Sequence, residues 1–446
     1  MSENRLYIET YGCQMNFSDS EIVASIMTSE GYSLVNDPHQ ANLILINTCS
    51  IRGKAEERVW KRLRELKSAK KLNPELKIGV IGCMAERLAD KLLSDEQVVD
   101  LVAGPDAYRF LPKMVAESFH GAQAANIQLS LEETYADIEP VRLDPSGVSA
   151  FISIMRGCEN FCAYCVVPFT RGKERSRHPQ TILHEAENLF QKGYREITLL
   201  GQNVNSYHFK DDRLDMDFSD LLIEVAKINP SLRVRFTTSH PKDLSNKLIS
   251  AISSYPNICK SIHLAVQSGS DVILKRMNRK YTRNEFLDRV RSIRKMIPEV
   301  TISTDIITGF CGETEEDHRQ TLSLMEEVRF DSAFMFRYSE RPGTIAAKKF
   351  SDDVPSEIKA KRLQEIIELQ HKHSLYSNRQ DVGKTFEVLV EGFSKRSRSM
   401  LSGRNSQNKM IVFKPKKSSI GQYTQVKITG CTQATLIGEE LENTTQ

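Results

Sequence analysis

Residues 155–165 read MRGCENFCAYC, and the spacing of their three cysteines decides how the rest of the chain is read. Cys158, Cys162 and Cys165 fall within eight positions, with no fourth cysteine or close histidine to complete the set. The chain has 446 residues and nine cysteines, and its N-terminus, MSENRLYIETYGC, lacks the pattern of a secretory signal. Cysteines in that context point away from a disulfide framework and toward metal binding or catalysis. The irons of a [4Fe–4S] cluster ordinarily take four thiolates, so three would leave one iron open to a substrate or cofactor. A zinc finger competes, because Cys162, Cys165, His178 and His184 match C-x2-C-x12-H-x5-H. Pro179, directly after His178, takes that histidine out of helical geometry, and Cys158 would be left without a role, so the cluster reading is preferred.

Outward from this loop, short apolar runs alternate with helical patterns, which predicts an α/β protein built on parallel sheets. Over residues 148–380 the runs FISIMRGC, EITLLGQN, LRVRFTTSHP, SIHLAVQSGS, VTISTDIITGF and FDSAFMFRYSERPGT predict a partial (β/α)6 barrel. Their ends place Gln202, Asn203, Ser239, Gln267, Ser268, Asp305 and Arg337 around one mouth, the face that carries the chemistry in such barrels. Residues 1–120 read as a separate parallel α/β domain with strands in LYIET, NLILIN and KIGVIG. Cys13, Cys49 and Cys83 follow those three strands, so the fold would bring them to one sheet edge, each ahead of a helix N-terminus that favours anionic sulfur.

Residues 121–147 lose the alternation and read as a linker. Residues 381–446 carry five short strands (TFEVLVEG, SMLSGRN, KMIVFK, QYTQVKITG, ATLIGEEL) and predict a small antiparallel β-barrel. Between Asp381 and Gly430 ten Lys/Arg face three acids, the electrostatic footprint of a nucleic-acid module, with a merely solvated basic surface as the alternative. No apolar stretch is long enough to span a bilayer, and a cytoplasmic location is expected.

The compact C-x3-C-x2-C loop, with Tyr164 before its last cysteine, resembles that of the radical S-adenosylmethionine (SAM) enzymes. The whole order of parts resembles their methylthiotransferase family, with an N-terminal cluster domain, a radical SAM core and a TRAM RNA-binding domain. The segments ETYGCQMNFSDSE, INTCSIRGKAEERV, VIGCMAER, LLGQNVNSY, HLAVQSGS and STDIITGFCGETEED are similar to the branch that acts on N6-isopentenyladenosine in tRNA.

That resemblance implies two [4Fe–4S] clusters, one on Cys158, Cys162 and Cys165 that binds SAM, the other on Cys13, Cys49 and Cys83 that supplies sulfur. It implies methylthiolation of C2 of N6-isopentenyladenosine at position 37, next to the anticodon, with an electron donor such as flavodoxin. An aromatic C–H has no useful acidity, so a radical rather than an acid or base must open it, and no catalytic residue beyond the cluster ligands is expected. For SAM itself the strand ends Gln202, Ser239, Gln267, Ser268, Asp305 and Arg337 are the candidates, and Lys395, Arg396, Arg398 and Arg404 for the tRNA anticodon stem-loop. Threonylcarbamoyladenosine in tRNA or a ribosomal-protein aspartate are alternative substrates. A non-enzymatic iron–sulfur RNA-binding sensor is the rival from another class. Cys259, Cys311 and Cys431 are expected to be packing residues.

Overall fold

The computed structural model describes residues 4–50, 53–94, 98–144 and 146–442. Residues 51 and 52 of the segment after Cys49 and the last four residues of the C-terminal region lie outside this set. Six parallel strands, β1 (Arg5–Thr10), β2 (Ser33–Leu34), β3 (Leu43–Thr48), β4 (Lys77–Gly82), β5 (Leu101–Ala103) and β6 (Ala124–Asn126), form one sheet in the order β2-β1-β3-β4-β5-β6. Every residue of β3 is buried, as an apolar run covered on both faces requires. Leu43 and Leu45 enter one core with Tyr108 and Leu111, whereas Ile44 and Ile46 enter the other with Val59, Leu63 and Met84.

Residues 121–147 are more than the plain linker their composition suggests. β6 extends the sheet, and Tyr135 is buried with its ring stacked on Tyr108 at 5.6 Å and its hydroxyl donating to the Pro105 carbonyl at 3.0 Å. The Leu143 amide donates to Glu21 at 3.1 Å. One aromatic anchor in a polar stretch outweighs the composition. The chain to Leu143 thus forms one compact body together with Met155–Phe161 and Cys165–Thr181, while Asp144–Ile154, Cys162–Tyr164 and Ile182–Gln446 form a second.

In the second body the six expected core strands are present: β7 (Ser149–Ser153), β10 (Glu196–Leu200), β13 (Arg233–Phe236), β14 (Ser261–His263), β15 (Thr301–Thr308) and β16 (Ser332–Arg337). A two-stranded pair in the first body, β8 (Met155–Arg156) with β9 (Arg175–Ser176), follows β7 in the chain, and a hairpin, β11 (His208–Lys210) with β12 (Asp215–Asp217), follows β10. The core strands form parallel sheets ordered β13-β10-β7 and β14-β15-β16, joined by parallel bridges Val234–Ile258 and Ser239–Leu264.

The C-terminal strands β17 (Thr385–Ser394), β18 (Ser397–Arg404), β19 (Met410–Lys414), β20 (Tyr423–Cys431) and β21 (Leu436–Glu440) close into a barrel, with β19 and β21 as its one parallel pair. Alternate burial along β20 packs Val426 and Ile428 inside with Val388, Val390 and Phe413. The turn after β18 seats against the N-terminal ends of the core strands. There Arg233 donates to the Arg404 carbonyl and Arg235 to that of Asn405, both at 2.7 Å, and Thr301 donates to that of Gln407 at 2.7 Å. The barrel thereby occupies the end opposite the expected mouth. Among the described residues no helix is long and apolar enough to cross a membrane.

Candidate active site

β1, β3 and β4 are neighbours in the N-terminal sheet, so Cys13, Cys49 and Cys83 come out side by side at their carboxyl ends. Cys13 caps the helix Gln14–Ser29 and Cys83 opens the helix Cys83–Ser94. Gly12 sits at φ +132°, and a Cβ there would collide with the Cβ of Cys49, so glycine is what lets the two cysteines approach. Asn16 holds the strand ends together: it accepts from the Cys13 thiol at 3.0 Å and donates to Asn47 Oδ1 and the Thr48 carbonyl, both at 2.9 Å. The hydrogen bond with Cys49 brings the Cys13 thiol down to about 6 against the effect of burial, with Arg171 helping. Burial pushes the Cys83 thiol up, opposed by Arg171, whose Nε donates to Cys83 Sγ at 3.1 Å.

Arg171 belongs to a buried charge cluster. Its Nη2 donates to Asp19 at 2.6 Å, Arg156 donates to the other Asp19 oxygen at 2.9 Å, and Arg175 donates to Asp106 at 3.0 Å. Burial works against ionisation of Asp19, yet the two guanidiniums hold its carboxyl below the usual range. These arginines come from the segments that flank the compact cysteine loop and fasten those segments within the first body.

Cys158 and Cys165 belong to that body, and Cys162 to the second. Gly157, at φ +80°, has no room for a Cβ against the Lys173 carbonyl. Each sulfur of the loop receives an N–H donor: Asn160 Nδ2 to Cys158 at 3.5 Å, the Val167 amide to Cys165 at 3.4 Å, and Arg279 Nη1 to Cys162 at 3.2 Å. Arg279 also donates to the Ala265 carbonyl at 2.6 Å and to the Tyr281 hydroxyl at 2.9 Å. Soft sulfur donors supported by N–H groups are the donor set that suits an iron–sulfur cluster. The zinc-finger histidines are otherwise placed: His178 precedes the helix Pro179–Gln191, and His184 Nε2 lies 3.1 Å from Asn188 Nδ2.

At the carboxyl ends of the core strands, Gln202 follows β10, and Thr238 and Gln267 take left-handed φ values of +73° and +72°. Such conformations cost about 1–3 kcal/mol each and gather at functional sites. Both amide atoms of Gln202, Gln267 Oε1, His240 Nε2 and Asn205 Nδ2 are buried without a hydrogen-bond partner among the described residues. Buried groups of this kind normally cost about 1–3 kcal/mol each when unpaired, so this mouth is chemically suited to a polar partner.

The other expected mouth residues differ in use. Ser239 donates to Asn205 at 3.1 Å, and Asn203 donates to Asp243 at 2.7 Å and accepts from the His240 amide. Ser268 is fully buried and spends its hydroxyl on Thr321 and the Ser270 amide, so it supports the turn rather than facing a ligand. Asp305 stands within β15 rather than at its end, 3.2 Å from His263, so it is not the strand-end residue the sequence pattern suggests. Arg337 borders an open cavity of about 460 Å3 with Tyr338, Asp352 and Lys359.

Sequence reasoning missed Arg171, Arg279 and His240. The strand-end rule that selected Ser239 reaches His240 equally, but nothing local in FTRG or MNRKYT tells which cysteine an arginine will meet. On the C-terminal barrel Lys395, Arg396 and Arg398 are exposed in and beside the turn joining β17 and β18, whereas Arg404 is half-buried and paired with Glu391 at 2.6 Å. Cys259 and Cys311 are buried, and burial pushes both thiols up, Cys259 to about 11.

Three family models match the chain: Uncharacterized protein family UPF0004 at residues 5–104, the Radical SAM superfamily at 152–325 and the TRAM domain at 379–441. Curated relatives named tRNA-2-methylthio-N(6)-dimethylallyladenosine synthase include one from Christiangramia forsetii, 54% identical over 98% of this chain and 94% of the relative. Another, from Phocaeicola vulgatus, is 55% identical over 99% and 97%. Among solved structures, the radical S-adenosylmethionine methyltransferase TsrM from Kitasatospora setae, with cobalamin and a [4Fe-4S] cluster bound, aligns with a TM-score of 0.56 at 12% identity over 78% of this chain and 77% of that one. The cobalamin-dependent radical enzyme OxsB aligns with a TM-score of 0.54 at 13% identity over 83% of this chain and 56% of that one. At such identities the likeness is one of fold.

Proposed function

The chain belongs to the tRNA-2-methylthio-N(6)-dimethylallyladenosine synthase family, and from that premise we propose that it methylthiolates C2 of N6-dimethylallyladenosine at position 37 of tRNA, beside the anticodon. The observation that carries this reading is the gathering of Cys13, Cys49 and Cys83 at three neighbouring strand ends, a second three-sulfur site in addition to Cys158, Cys162 and Cys165. When bound, a [4Fe–4S] cluster on the compact loop supplies the electron that splits SAM, and one on the dispersed triad supplies the sulfur.

The chain's own groups do the rest. Arg279 donates to Cys162 Sγ and Arg171 to Cys83 Sγ, placing a guanidinium against one sulfur of each trio. Gln202, Gln267 and His240 offer buried polar atoms at the mouth for SAM, with Ser239 next to His240 in the chain and Arg337 closing the last core strand as further candidates. Lys395, Arg396 and Arg398 contact phosphates of the anticodon stem-loop, and the target base must leave its stack to be reached. A one-electron donor such as flavodoxin and a cytoplasmic location complete the reading.

The test is nucleoside mass spectrometry of tRNA from a strain lacking the gene, with and without the gene restored. The 2-methylthio-N6-dimethylallyl nucleoside should vanish and return, with the unthiolated precursor accumulating in between. Its persistence in the deletion strain refutes the proposal, and selective loss of the threonylcarbamoyl counterpart transfers the protein to that substrate.

A further inference from the structure

β16 is the last strand of its sheet, and its two faces differ. Ala333 and Met335 are half-buried, and the helix Ser356–Arg379 packs on this strand, yet Phe334 is 53% exposed and Phe336 37%. The register pairs Phe334 with Asp305 and Phe336 with Ile307, and laterally paired residues share a face. That face also carries His263, whose ring meets Phe334 at 5.8 Å and whose nitrogens lie 3.0 Å from Ser303 and 3.2 Å from Asp305. The opposite face of β15, with Ile302, Thr304 and Ile306, is wholly buried. The inner face of the partial barrel therefore ends at its edge in two exposed aromatic rings and a half-buried isoleucine, with a carboxylate alongside.

We propose that Phe334, Phe336 and Ile307 form the wall that receives the dimethylallyl group of the substrate, and that Asp305 accepts the remaining N6–H of the same adenine. The assignment rests on the function proposed above. A secondary amine at N6 carries one donor and one apolar five-carbon arm on a single nitrogen, so its site needs an acceptor and an apolar wall on adjacent strands. Asp305 and Phe334 are cross-strand neighbours and meet that requirement. Apolar and aromatic surface with a few placed polar groups is the ordinary composition of a ligand subsite. A threonylcarbamoyl arm, which ends in a carboxylate, would meet Asp305 with like charge and the rings with nothing to satisfy it. This surface thus selects between the two tRNA substrates as well as for the modified base. Asp305 accordingly serves the substrate rather than SAM.

The experiment compares anaerobically reconstituted wild-type enzyme with Phe334→Ala, Phe336→Ala and the double variant. Each is titrated with anticodon stem-loops carrying plain adenosine, N6-dimethylallyladenosine or N6-threonylcarbamoyladenosine at position 37. The quantity read is the ratio of dissociation constants for plain and dimethylallyl RNA within each protein, which a misfolded fraction does not move. Wild type should favour the dimethylallyl RNA, and the double variant should lose about 10- to 100-fold of that preference, with Phe334→Leu and Phe336→Leu keeping part of it. A double variant that discriminates as well as wild type overturns the wall. A wild-type enzyme with no preference for the dimethylallyl RNA overturns the proposed function itself, and the wall with it.

Discussion

The two cysteine triads are assembled by opposite means. Cys13, Cys49 and Cys83 are separated by dozens of residues and are brought together by the order of strands β1, β3 and β4, whereas Cys158, Cys162 and Cys165 are neighbours in the chain. The first set depends on the whole sheet being right, down to Gly12, where any side chain would push Cys49 aside. The second depends on a short loop whose shape is set by Gly157 and by donors to each sulfur. A dispersed site is as stable as its domain, and a local one can be tuned by whichever side chain meets it.

The sharpest way to break this pairing is to remove one sulfur from each. Cys158→Ala should reduce 5′-deoxyadenosine formation from SAM below detection by liquid chromatography, while Cys83→Ala should keep that reaction and yield no methylthio product. Equal loss in both would erase the division of labour. Next in size, Arg171→Ala strips Asp19 of one of its two buried guanidinium partners and should cost about 3–5 kcal/mol in urea unfolding of the apoprotein. Arg279→Ala, which breaks hydrogen bonds to Cys162 and Ala265 and no carboxylate pair, should cost about 1–3 kcal/mol. A reversed order would mean that the local site, not the dispersed one, carries the heavier electrostatics.

A smaller effect concerns the mouth. Burial first, then Arg279, holds His240 down at about 2 against 6.5 for an ordinary histidine. A depressed histidine stabilises the fold above pH 6.5 and loses that contribution as pH falls below it, so His240→Gln should gain about 2 kcal/mol on wild type between pH 7 and pH 5 in parallel unfolding curves. Parallel acid sensitivity in both proteins would show the ring to be solvated. Smallest, Lys395→Ala or Arg396→Ala should each lower the salt slope of tRNA binding by about 1, with Arg404→Ala, held by Glu391, doing less.

The sequence pattern was enough to read the six core strands, the C-terminal barrel and the meeting of Cys13, Cys49 and Cys83, because periodicity and strand-end position are local signals with long-range consequences. It did not reveal that residues 121–143 pack on the N-terminal sheet, since one buried tyrosine at position 135 decides that against a polar background. Ser268 and Arg404 were chosen by place and composition, yet partners distant in the chain or across a strand pair, Thr321 and Glu391, occupy them. Arg171 and Arg279 were invisible for the converse reason: an arginine's value depends on the sulfur it reaches, 88 residues away for Cys83 and 117 for Cys162.

The central claim is that two independent trios of thiolates each hold a four-iron cluster. Anaerobic iron and sulfide analysis with electron paramagnetic resonance, on wild type and on the triple alanine variants of each trio, tests it most directly. About eight irons in wild type and about four in either variant are expected, with a distinct reduced signal surviving in each. Zinc in place of iron, or loss of all iron from either variant, would contradict it.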